Sequence, residues 1–60
     1  MNINQLYTIC ENLGPASTFI VFNGKNAIFR CPYMCIPHPW DEKQIKGFKV
    51  VDDTNIEVYL

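Results

Sequence analysis

Cys31, Cys35 and His38 have the residue types and spacing for chemistry, as Cys-x3-Cys-x2-His. Thiolates and imidazole are zinc ligands, and pairs two to four residues apart are common in tetrahedral sites. A fourth ligand would come from Cys10 or Asp41. With Cys10, a metal would staple the N-terminal segment to this loop and so stabilise a small chain. Zinc modules usually show two tight ligand pairs, and this chain has one. The competing reading makes Cys10 and Cys31 small core residues and His38 a loop residue. No cofactor is required by the sequence beyond this zinc option. The same residues suggest Cys31 or Cys35 as a nucleophile with His38 as base. That pairing lacks an orienting third group, and so short a chain rarely holds the roughly 300 Å3 or more of a substrate pocket. The chain is therefore expected not to be an enzyme.

The cysteines and histidine lie in a stretch of unusual composition, Cys31-Pro-Tyr-Met-Cys-Ile-Pro-His-Pro-Trp40, which carries three of the four prolines, the single histidine and the single tryptophan. Proline removes a ladder donor, so the stretch is not a central strand. It is too apolar for a linker. A proline-stiffened backbone is cheap to order on binding, and tryptophan and tyrosine are frequent interface anchors. Tyr33, Met34, His38 and Trp40 are thus candidate partner-binding residues. The alternative for Trp40 is that it closes a small core.

Flanking elements must position this loop. Residues 3–13 predict an amphipathic helix with Ile3, Leu6, Tyr7, Cys10 and Leu13 on one stripe, Asn2 and Gln5 in a capping box, and Gly14-Pro15 as a stop. Residues 17–22 and 27–31 predict a β-hairpin turning at Asn23-Gly24. Its first strand is apolar on both faces: Phe19 and Val21 point one way, Ile20 and Phe22 the other. One helix covers one face, so Ile20 and Phe22 join the candidate contact surface, for a partner or for a second copy as a homodimer. Residues 39–46 predict a short second helix, with Pro39, Asp41 and Glu42 at its start and Lys43, Lys46 and Gly47 at its end. Residues 48–51 and 56–60 predict a second hairpin across Asp52-Asp53-Thr54-Asn55. The expected class is α+β: a small four-stranded antiparallel sheet with an N-terminal helix and a short second helix, in the order α-β-β-α-β-β, as one domain over residues 1–60.

Composition narrows the partner. Apolar residues make up 48% of the 60 and the net charge is −1. This argues against disorder and offers no basic field for phosphate backbones, so nucleic acid is an unfavoured partner. The first 13 residues hold no cation and no unbroken apolar run, and no segment has the roughly 18 apolar residues of a spanning helix. Three cysteines, an odd number, fit a reducing compartment. A cytoplasmic protein without membrane contact is expected.

Met1-Asn2-Ile3-Asn4 followed by a short helix is loosely similar to the opening of phage-encoded inhibitors of an RNA-guided nuclease. The likeness covers four residues, and the strong acidity of those inhibitors is absent here. No residue role is carried over from it. It implies a class: compact domains of phages and mobile elements that act by binding a host protein. The sequence thus favours a protein–protein interaction module, a small inhibitor or regulator, with a zinc-stapled structural module and a nucleic-acid-associated regulator as alternatives.

Overall fold

The computed structural model describes residues 1–10, 13–14 and 16–60. Helix α1 spans Ile3–Ile9. The capping box forms as expected: the Gln5 N–H donates to Asn2 Oδ1 at 2.8 Å, and the Asn2 N–H donates to Gln5 Oε1 at 2.9 Å. The helix is shorter than the apolar stripe suggested. Cys10 is already extended (φ −94°, ψ 98°), while the Thr8 hydroxyl donates back to the Asn4 carbonyl. Thr8 and Ile9 are β-branched and Cys10 is a weak helix former, so the run ends where propensity falls. Glu11, Asn12 and Pro15, on which the rest of the predicted helix and its stop signal fall, lie outside the described residues.

Strands β1 (Thr18–Asn23) and β2 (Asn26–Pro32) form the expected antiparallel hairpin. Its turn sits one residue later than Asn-Gly reads. Asn23 pairs with Asn26, Gly24 takes φ +68°, and no non-glycine described residue has positive φ. Glycine at the first central position is the pattern of a type II′ turn, in which Asn23 needs no left-handed backbone. The register slips between Val21 and Phe22, and Ile28 and Phe29 both pack against the core. Such a bulge re-aims a side chain inward.

The expected second helix is replaced by a short 3-10 turn at Trp40–Glu42, followed by extended Lys43. The end signals were present, but Ile45 is the only large apolar residue between Asp41 and Lys46, so a helix would have no stripe to bury. The backbone instead ties into its neighbours: the Ile45 N–H donates to the Met1 carbonyl at 2.8 Å and the Lys46 N–H to the Tyr59 carbonyl at 2.6 Å. The chain then enters β3 (Gly47–Val50) and β4 (Asn55–Tyr59), an antiparallel pair.

The sheet is mixed rather than wholly antiparallel. Its order is β2-β1-β4-β3, and β1 runs parallel to β4, with Phe19 beside Ile56 and Val21 beside Val58. Each hairpin is local. Their joining is set by residues 33–46, which carry the chain from one sheet edge to the other, the kind of long crossover that parallel pairing requires. This segment and α1 pack on the same face. Ile3, Leu6, Leu13 and Ile36 close over Phe19, Val21, Ile56 and Val58, all nearly or fully buried. The Cα radius of gyration is 10.1 Å, close to the roughly 10 Å expected of a folded chain this long.

Leu6 is fully buried beneath α1. Leu6→Ala should destabilise the domain by about 2–5 kcal/mol, enough to unfold much of so small a protein, as read by urea denaturation. Asn2→Ala, which removes only the cap, should shift the same curve by roughly 1 kcal/mol.

Candidate functional site

The loop that concentrates the unusual residues splits into an inward and an outward half. Tyr33, in the 3-10 turn Tyr33–Cys35, faces inward. Its ring lies on Tyr7 with centroids 4.1 Å apart and planes within 2°, and both rings tilt against Phe19 at about 6 Å. Its hydroxyl donates to Asn4 Oδ1 at 2.5 Å. Tyr33 therefore fastens the loop to α1. Trp40 is half-buried, edge-on to Phe29 at 5.5 Å, with the Lys43 ammonium 5.2 Å above its ring. Ile36 is buried beside them in the core cluster. The strap thus inserts Tyr33, Ile36 and Trp40 into the molecule.

The outward half is Met34, Cys35 and His38. Met34 is 85% exposed, the most exposed large apolar side chain described. His38 has a solvent-facing ring whose Nδ1 lies 3.3 Å from Asp41 Oδ1 and 4.0 Å from Glu42 Oε1. An exposed pair of this kind contributes little to stability.

Burial, and then the neighbouring Cys35, push the Cys31 thiol pKa above its ordinary value. All three cysteines are free thiols. Among the described residues no three of His, Cys, Asp and Glu gather as metal ligands, and neither Cys31 nor Cys35 is hydrogen-bonded to His38. The geometry therefore lends no support to a zinc clasp or to a thiol–imidazole pair.

A surface the sequence did not single out lies along α1. Met1, Asn4, Gln5, Thr8 and Ile9 line a shallow open groove of about 550 Å3. Ile9 is 58% exposed and Met1 is also exposed. Ile9 stands off the apolar stripe that builds the core, and that misplacement was the available signal. Asn4 connects this groove to the loop, because it lines the groove and also accepts the Tyr33 hydroxyl next to Met34.

The second face of β1 is the remaining candidate. The elements that pack on the sheet lie on the Phe19 side, so Ile20 and Phe22 face away from them. Ile20 is nevertheless only 9% exposed. Its cross-strand neighbours on that face are Arg30 and Glu57, whose long side chains flank it. Phe22 stacks on Tyr59 at 5.5 Å, and the Tyr59 hydroxyl donates to Glu57, which raises the tyrosine pKa. This face is a half-apolar surface with charged flanks. Of its two predicted contact residues, Ile20 is largely screened and Phe22 is partly accessible.

Asp52 organises the turn before β4. Its carboxylate accepts from the Thr54 and Asn55 backbone N–H groups, both at 2.9 Å, and from the Asn55 side-chain amide. The Thr54 backbone bond, then the Asn55 amide, hold its pKa below the ordinary aspartate value. A depressed folded-state pKa stabilises fully above the unfolded-state value, and that contribution fades as pH falls through the folded one. Asp52→Asn should therefore lower the melting temperature at neutral pH, with the gap from wild type closing in acid below the ordinary aspartate pKa. Thiol labelling should modify exposed Cys35 well before Cys31, because the raised Cys31 pKa leaves less thiolate. Mass spectrometry of the partly labelled protein reads that order.

Comparison with protein-family models, curated proteins and solved structures gave no match, so a reading of function rests on this geometry.

Proposed function

We propose that this chain is a non-enzymatic protein-binding module whose contact surface joins the α1 groove to the outer side of the proline-rich loop. The observation that carries the reading is the exposure of Met34, Ile9 and Met1, apolar side chains on the loop and along the α1 groove. Isolated exposed apolar residues are ordinary, but here Asn4 and Tyr33 tie the groove to the loop on one side of the molecule. Methionine suits such a surface because its flexible, polarisable side chain adapts to a partner. Tyr33, stacked on Tyr7 and bonded to Asn4, supports the surface from beneath. The near-neutral net charge favours a protein partner over a nucleic acid. The domain is compact, and no described helix is long and apolar enough to cross a membrane. With three free thiols and a four-residue likeness to phage inhibitors, these features support a small cytoplasmic inhibitor or regulator of a host protein.

Site-specific photo-crosslinking in cells tests this. A photoreactive residue replacing Met34 or Ile9 should give a discrete protein adduct, and one replacing Lys25 at the far hairpin tip should not. Adducts from all three positions alike, or from none, would contradict the assignment. Met34→Asp should weaken a captured complex by roughly tenfold or more while leaving the melting temperature within about 1 °C, since an exposed side chain contributes little to folding.

A further inference from the structure

We propose that Asn23 is a site of spontaneous covalent modification, losing its side-chain amide through a cyclic imide formed with Gly24. Of the six asparagines only Asn23 precedes a glycine. Ring closure brings the next residue's backbone nitrogen onto the asparagine Cγ, and a Cβ on that residue crowds the approach. Glycine has none. Gly24 also stands in open space: a methyl group built on it would meet nothing within 4 Å.

The structure separates Asn23 from the other asparagines. Asn2 Oδ1 accepts the Gln5 N–H, Asn4 Oδ1 accepts the Tyr33 hydroxyl, and the Asn55 amide donates to Asp52, so each of these side chains is held. Asn26 is exposed, but Ala27 follows it. Asn12 lies outside the described residues and precedes Leu13. Asn23 is exposed, and the Gly24 N–H donates to no backbone group. An extended residue points the next nitrogen away from its own Cγ, so Asn23 must rotate about ψ to react. Its position permits that. β4 ends at Tyr59, opposite Phe22, and the Leu60 N–H donates to the Phe22 carbonyl. Asn23 therefore overhangs the sheet and is held by the last rung alone, to Asn26. A terminal rung opens far more readily than the whole fold.

In the reaction the Gly24 nitrogen attacks Cγ, the new C–N bond forms and the Cγ–Nδ2 bond breaks. Ammonia leaves with the Gly24 proton. Water then opens the imide. Addition at Cγ gives aspartate; addition at the main-chain carbonyl carbon routes the backbone through Cβ and Cγ and gives isoaspartate. Either product adds one negative charge to the −1 of the chain. Isoaspartate also lengthens the main chain at a two-residue turn, whose closing pair is set by loop length.

Incubating the intact chain at mildly alkaline pH, beside the same chain unfolded in guanidinium chloride, tests this. Peptide mapping with electron-transfer fragmentation distinguishes the two isomers. Once the unfolded chain has converted at Asn23, the folded chain should carry the change there in a measurable fraction, several-fold ahead of every other asparagine. The rate should rise with pH, because the Gly24 nitrogen must lose its proton. The isoaspartyl form should melt below Asn23→Asp, which carries the same charge on an ordinary backbone. Asn23→Gln, which would need a larger ring, should lose the acidic product and keep the wild-type circular dichroism. A folded chain unchanged at Asn23 when the unfolded chain has converted overturns the proposal. So does first conversion at Asn26 or Asn55, and so does an acidic product that persists in Asn23→Gln. None of these outcomes depends on the protein-binding reading.

Discussion

The parallel seam between β1 and β4 is the constraint on which the rest of the structure depends. Each hairpin alone is a marginal two-stranded ribbon. Setting β1 beside β4 brings Phe19, Val21, Ile56 and Val58 into one apolar surface, and that surface is what α1 and the proline-rich strap cover. Parallel pairing also decides where the strap runs. Because β2 and β3 become opposite edges, residues 33–46 must cross between them, and they cross on the helix side. The loop's composition follows from that route, since Tyr33, Ile36 and Trp40 are the side chains with which a crossover lacking regular structure holds itself down.

The same constraint leaves three surfaces unfinished. A helix of seven residues is too short to cover a four-stranded sheet, so Phe48 and Val50 stay accessible on the core side of β3. The back of the sheet is screened by its own long side chains, with Ile20 between Arg30 and Glu57. The outer flank of α1 keeps Met1 and Ile9 in solvent. A domain of this size buries only about 60% of the surface of its unfolded chain, so accessible apolar area is expected somewhere. Here it gathers beside Asn4 and along the β3 edge.

Local features were legible in the sequence. The Asn2–Gln5 box, the hairpin at Gly24, the Asp52 turn and the alternation of Ile56, Val58 and Leu60 each depend on neighbours within a few residues. The two largest departures, the missing second helix and the mixed sheet, have different causes. The segment 39–46 carried helix-end charges without an apolar stripe, and the docking of one hairpin on the other depends on contacts far apart in sequence. A signal for the central position of β1 was available: Phe19-Ile20-Val21 is apolar on both faces, the mark of an interior strand. For the site, the loop was found but its sidedness was not. Tyr33 and Met34 are adjacent in sequence, yet one stacks under α1 and the other stands in solvent. Which of two neighbours turns inward is settled by the Tyr7 ring and the Asn4 amide, which arrive from another element.

The most direct test of this account is the set of cross-strand nuclear Overhauser contacts between β1 and β4 in solution. The structure predicts contacts that ascend together, Phe19 with Ile56, Ile20 with Glu57 and Val21 with Val58. Contacts running in opposite directions, or β3 in place of β4 beside β1, would contradict the parallel seam and with it the route of the strap.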